Sequence, residues 1–178
     1  ISRGYGGSAQ TTTDVATCPD AAVVGDEPLL LWQTTGAPVV VARKRATAAQ
    51  KLLHDYPATR LLIADDGLQH YALARDAEIV VIAADLGLGN GFLLPAGPLR
   101  ETSARLRCAD IVLSGDPSRY PHPHSYPLHY TSDGVHPLDG GGRRPLTALA
   151  APLYALTAIA RPERFFASLR AQGADLAA

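Results

Sequence analysis

The chain has 178 residues, 47% hydrophobic and 19% charged, enough for a globular domain with a core of its own. Its formal net charge of −1 offers no broad field to nucleic acid or anionic lipid. No apolar run approaches the roughly 20 residues of a membrane-spanning helix. Cys18 and Cys108 stand far apart and outside any metal-type spacing, so a reducing compartment is expected and a disulfide framework is not.

In chain order, "ISRGYGG" reads as the end of a strand entering a glycine-rich loop, and as the start of a piece of something longer. "GDEPLLLWQTTG" has acids and a proline at its head and Gly36 at its foot, which are helix start and stop signals. Val39–Ala42 is a β-branched strand candidate, and "KRATAAQKLLHDY" is a helix with apolar spacing at Ala48, Leu52, Leu53 and Tyr56. Further strands are expected near 60–64, 79–83 and 110–113. All are short, continuous and apolar, the pattern of parallel strands covered on both faces. The order predicts an α/β fold with a doubly wound, mostly parallel sheet. Residues 1–115 form the expected core, and 116–152 a linker with a β-ribbon whose arms lie near 128–131 and 153–159. Residues 153–178, with a helix from "RPERFF" to Gly173, begin a second α/β domain.

The stretch "RLLIADDGLQHY" runs an apolar strand candidate into Asp65 and Asp66. Ligands of such sheets bind at the carboxyl ends of the strands. Two adjacent carboxylates there repel one another, which a bound cation relieves. The alternative is a polar strand end that caps the next helix. Gln69 and His70 follow a tight turn and can bind a phosphate or water. Asp26 and Glu27 open a helix; alone they read as dipole complementarity, and in a site as a base for a hydroxyl nucleophile. Residues 87–101 gather four glycines and two prolines after a strand, with Arg100 able to clamp an anion. His122, His124, His129 and His136 are scattered through a proline-rich stretch without ligand geometry, so no metal is assigned to them.

"SRGYGG", "VGDEPLLL", "IADDGLQHYALARDAEIVVI", "GNGFLLPAGPLRE" and "AIARPERFF", in this order and over nearly the whole chain, resemble the motifs of the tetraacyldisaccharide 4'-kinase family. The resemblance implies a P-loop-type kinase that uses ATP and Mg²⁺ to phosphorylate the 4'-hydroxyl of a tetraacylated disaccharide 1-phosphate, giving lipid IVA. It implies work at the cytoplasmic face of the bacterial inner membrane, on a lipid disaccharide, with neither nucleic acid nor an obligate protein partner. By position, Asp26 resembles the catalytic base and Glu27 its acidic neighbour. Asp65 and Asp66 resemble the Walker B-type pair serving Mg²⁺ and phosphates, and Gln69 and His70 complete that motif. Arg100 and Glu101 match the arginine and glutamate of an active-site loop. Arg161 stands where many relatives carry histidine.

The family's Gly-Gly-x-Gly-Lys-Thr loop is expected ahead of "ISRGYGG". Neither lysine, Lys44 or Lys51, follows a glycine, so these residues alone are expected to lack kinase activity. A receiver-like or phosphatase-like α/β domain also ends a strand in paired aspartates, but needs a later lysine, and none follows Lys51. A third alternative is a non-catalytic or decayed P-loop-like binding module. Upstream sequence encoding Gly-Lys-Thr distinguishes it from the kinase.

Overall fold

The structure is a computed structural model that describes residues 1–84, 86–132, 134–138, 140–159 and 161–177. Asp139 of the glycine-rich turn and Ala160 of "AIARPERFF" lie outside the described residues. Two compact units are formed, Ile1–Leu128 and His129–Ala178.

In the first unit, β1 (Thr13–Asp14) pairs antiparallel with β2 (Val40–Val41). Ile1 and Ser2 run parallel to β2 on its other side. The Ser2 amide donates to Val40 O at 3.1 Å, and the Ala42 amide to Ser2 O at 3.2 Å. Ile1 then reaches the third segment: its amino group donates to Ile63 O at 2.7 Å and its carbonyl accepts from the Asp65 amide at 3.0 Å. Residues 1–2 are therefore the middle of three parallel segments, 40–42, 1–2 and 63–65.

Helices cover β2 on both faces, as its unbroken apolar run requires. Val39 and Val41 pack with Val15, Val24, Leu29 and Trp32, which places α1 (Ala21–Val24) and α2 (Asp26–Thr35) on one side. Val40 and Ala42 pack with Ala48, Ala49 and Leu52 of α3 (Arg45–Asp55) on the other. α2 ends at Gly36, whose amide closes on Trp32 O at 2.9 Å. In α3 Arg45, Ala48, Ala49 and Leu52 are buried, and Leu53, expected inside, is 44% exposed. Tyr56 follows the helix and donates its hydroxyl to Asp14 at 2.6 Å.

A separate parallel sheet has the order β3 (Ile79–Ile82), β4 (Ile111–Ser114), β5 (Ser125–Pro127). Its core is Ile82, Ala109 and Val112 with Val80, Leu88, Leu106 and Tyr120 around them.

Several expectations differ from the structure. The strands do not share one sheet: β2 and β3 belong to different ones. Residues 60–64 are extended but form no strand, because among the described residues only Ile1 pairs with the segment, and only near its end. Coverage of both faces holds for β2 but not for residues 61–64 or β3. Leu61 (75% exposed), Ile63 (72%), Ile79 (58%) and Val81 (57%) face outward, while Leu62, Ala64, Val80 and Ile82 face in. Residues 125–127, read as linker, form the third strand of a sheet.

In the second unit, antiparallel pairing around the glycine-rich turn joins Val135 to Arg144, closer to the turn than expected, and Leu153 bridges Leu176 instead of the 128–131 segment. Helix α4 (Pro162–Ala171) starts on Pro162, and Gly173, φ 87°, follows its end. Among the described residues no helix is long and apolar enough to cross a membrane.

Candidate functional site

Asp65 and Asp66 end the extended segment beside Ile1. Asp66 has φ 44°, in the left-handed region that non-glycine residues seldom occupy. The turn is held from behind by Arg45 at the start of α3. Arg45 is 5% exposed and donates through Nη2 to Asp65 O at 2.8 Å and to Asp66 O at 3.3 Å. Burial pulls the Arg45 pKa down, and the Asp65 and Asp66 carboxylates oppose that pull. Both backbone carbonyls of the pair are thus engaged by Arg45. The Asp65 side chain takes one weak bond, from Ser2 Oγ at 3.4 Å.

His70 is placed against α3. Its Nε2 accepts the Arg45 backbone N–H at 3.2 Å, so only Nδ1 remains for a phosphate or water. Gln69 points the other way and joins the two halves of the site. Its amide nitrogen donates to Glu101 Oε1 at 2.9 Å, and its Oε1 accepts from Arg100 Nη1 at 3.3 Å. Arg100 Nη1 is in turn 3.6 Å from Asp66 Oδ2. The aspartate pair and the 87–101 loop are joined by a chain of contacts, Asp66 to Arg100 to Gln69 to Glu101.

Behind Glu101 lies a charged support. Tyr71 donates its hydroxyl to Glu101 Oε2, and Arg105 approaches the same oxygen at 3.4 Å. The Tyr71 and Gln69 hydrogen bonds hold the Glu101 carboxyl below the usual carboxylate range, and the same bond pushes the Tyr71 phenol up. Glu78 pairs with Arg105, whose pKa it raises, and with Arg75 at 2.8 Å. Arg75 returns to the turn after the aspartates, donating to Leu68 O at 2.8 Å.

Asp26 and Glu27 occupy the first turn of α2, and Asp26 Oδ1 accepts the Glu27 N–H at 3.0 Å. Among the described residues no hydrogen bond or ion pair joins either to Asp65, Asp66, Gln69, Arg100 or Glu101. Their link is through backbone. Gly25, φ 91°, precedes Asp26, and a Cβ there would lie 2.7 Å from Tyr5 O, so the 2–7 loop packs directly on the start of α2. That loop's Gly4 amide donates to Ser2 Oγ at 3.4 Å, the hydroxyl that also meets Asp65. A hollow of about 300 Å³ opens on the loop, lined by Arg3, Tyr5, Gln10 and Arg43 among others. It has two guanidinium groups and no carboxylate in its wall, which suits an anion.

Sequence reasoning singled out the carboxylates, Gln69, Arg100 and Glu101. It missed Ser2, Arg45, Tyr71, Arg75, Glu78 and Arg105. Tyr71 adjoins the quoted motif, and an arginine opening α3 is a visible signal. The Glu78–Arg105 pair spans 27 residues and has no local signature.

The Asp65–Asp66 pair fits a Mg²⁺ site. Among the described residues no three His, Cys, Asp or Glu side chains gather as a metal cage. Mg²⁺ does not need one; it takes one or two carboxylates and completes its shell with water and phosphate oxygens.

The family model described as tetraacyldisaccharide-1-P 4'-kinase matches residues 1–178. A tetraacyldisaccharide 4'-kinase of Chromobacterium violaceum is 48% identical over 179 residues, covering 97% of this chain and 52% of its own length. One from an Acidovorax species is 49% identical over 176 residues, covering 97% and 51%. A crystal structure of LpxK from Aquifex aeolicus in complex with ATP superposes with a TM-score of 0.79 at 24% identity, over 98% of this chain and 58% of that one. That likeness shows the fold alone, an α/β architecture. The chain spans about half the length of the curated relatives it matches.

Proposed function

The chain belongs to the tetraacyldisaccharide-1-P 4'-kinase family, and from that membership we propose that the whole protein moves the γ-phosphoryl group of ATP to the 4'-hydroxyl of a tetraacyldisaccharide 1-phosphate, giving lipid IVA. The observation that carries the reading is the contact chain Asp66, Arg100, Gln69, Glu101, with Arg45 fixing the aspartate turn from below. It links the aspartate turn to a guanidinium, the kind of group that can neutralise phosphate charge.

Asp65 and Asp66 would hold Mg²⁺, which when bound neutralises charge on the phosphates. Arg100, 62% exposed on its side chain, turns to phosphate oxygens at little cost, because its pair with Asp66 is a long surface contact. Gln69, itself held by Glu101, accepts from the Arg100 guanidinium and orients it. Asp26 takes the proton of the 4'-hydroxyl as the new P–O bond forms, and Glu27 sets the charge beside it. The Arg3–Arg43 hollow next to the α2 start receives the anionic disaccharide. The amphiphilic acceptor places the protein at a membrane surface, which we assign to the cytoplasmic face of the inner membrane.

The experiment supplies the whole protein with labelled ATP, Mg²⁺ and tetraacyldisaccharide 1-phosphate in detergent, and follows label into lipid. Asp26→Ala is expected to lower kcat by about 10²–10⁴-fold with little change in KM for ATP. A steep rise in KM for ATP at unchanged kcat would make Asp26 a nucleotide or metal ligand. No label in lipid with the unaltered protein would remove the reading altogether.

A further inference from the structure

The 87–101 loop carries a second feature that the phosphate chemistry does not use. Phe92 is 62% exposed, Leu93 42% and Leu94 64%, three successive large apolar side chains at one loop tip. A floppy loop with such residues would collapse onto the nearest core. This one is built to keep them out. The Leu94 amide donates to Leu99 O at 2.9 Å, the Leu99 amide to Phe92 O at 3.2 Å, and the Gly97 amide to Leu93 O at 3.0 Å. Asn90 closes the turn, accepting from the Phe92 amide at 3.1 Å and donating to Ala96 O at 2.9 Å. The fit leaves no room at Gly97, where a Cβ would lie 2.2 Å from Asn90 Oδ1 and 2.4 Å from Phe92 O.

The tip thus satisfies much of its backbone internally while its side chains are apolar, the combination a segment needs to enter a medium without water. Charge agrees with that partner. Arg107 is exposed on the segment that leaves the tip, placed to meet anionic headgroups while the apolar residues enter among acyl chains. The surface is also continuous with the candidate site through Arg100, 3.6 Å from Asp66.

We propose that Phe92, Leu93 and Leu94 form a lipid-surface anchor: the loop tip enters the interface of an anionic bilayer and holds the Asp65–Asp66 site at the height of a lipid headgroup. The role rests on the reading of the acceptor as an acylated lipid, but its test contains neither ATP nor disaccharide, so the two fail separately.

The chain has one tryptophan, Trp32, in α2. Phe92→Trp in a Trp32→Phe background puts the only indole at the tip. With vesicles of phosphatidylglycerol and phosphatidylethanolamine, its emission is expected to shift to the blue and to be quenched by brominated acyl chains. In the native background, Phe92→Ser/Leu94→Ser is expected to weaken co-sedimentation with the same vesicles by about tenfold, with unchanged circular dichroism because both side chains are exposed. Arg107→Gln should weaken it less, and only at low salt. Vesicle-bound protein whose residue-92 indole stays unquenched would overturn the proposal. So would a Phe92→Ser/Leu94→Ser variant that sediments like the native chain, or a native chain that does not bind vesicles.

Discussion

The Nε2 atom of His70 accepts the backbone N–H of Arg45, the first residue of α3, whose preceding residue Lys44 makes no side-chain cap. A distant histidine therefore does the work of a local N-cap. His70→Ala is expected to cost about 1 kcal/mol, the usual worth of a cap, and to lower Tm by about 2–4 °C; an unchanged Tm would show the contact to be idle. Tyr71 has a different part, since its hydroxyl leads the interactions that hold Glu101 ionised. A carboxyl whose folded pKa is depressed contributes stability above its unfolded value, here 4.5, and loses it as pH falls through the folded value. Tyr71→Phe should raise the Glu101 pKa, visible in its ¹³C carboxyl titration. The stability difference between native and variant chains should be present at neutral pH and narrow below pH 4.5. A difference constant through that window would mean Tyr71 acts by packing alone.

At the scale of elements, what was legible depended on whether an element carries its own reason for existing. α2 announces itself by Asp26, Glu27 and Pro28 at one end and Gly36 at the other, and β2 by an apolar run with helices on both faces. Residues 61–64 carry the same apolar run yet form no strand, because strands need partners and only Ile1 reaches them among the described residues. β1 is two residues, Thr13 and Asp14, and β5 is Ser-Tyr-Pro; neither has a pattern that sequence can register. The same division runs through the site. Asp65, Asp66, Gln69, Arg100 and Glu101 sit in compact motifs, whereas Arg45 and the Glu78–Arg105 pair reach it only through the fold. The 87–101 loop lies between these cases: its glycines are visible, but that Gly97 is required by Asn90 and Phe92 is not. Gly97→Ala is expected to destabilise the chain by about 1–3 kcal/mol through overpacking, read from denaturant midpoints. An unshifted midpoint would show that the loop yields at no cost.

For the molecule as a whole, the α/β architecture brings two separately encoded groups to one place. The aspartate turn is positioned by the 1–2, 40–42 and 63–65 segments and by α3. The Arg100–Glu101 pair is positioned by the 87–101 loop and the Glu78–Arg105–Arg75 cluster. Gln69 joins them. In the reading proposed above this junction handles phosphate charge, and Asp66 is the residue through which that role is tested most cleanly. Asn shares with Asp the ability to occupy the left-handed region that φ 44° demands. The Asp66–Arg100 pair is an exposed 3.6 Å contact of little worth to stability. Asp66→Asn therefore removes the charge and leaves the turn. The decisive measurement is ATP-dependent phosphorylation of tetraacyldisaccharide 1-phosphate by the whole protein carrying Asp66→Asn, at limiting and saturating Mg²⁺. A loss of about 10²-fold or more in kcat/KM is expected, with an unchanged Tm. Native turnover at limiting Mg²⁺ would contradict it and reduce the aspartate pair to a cap on a turn.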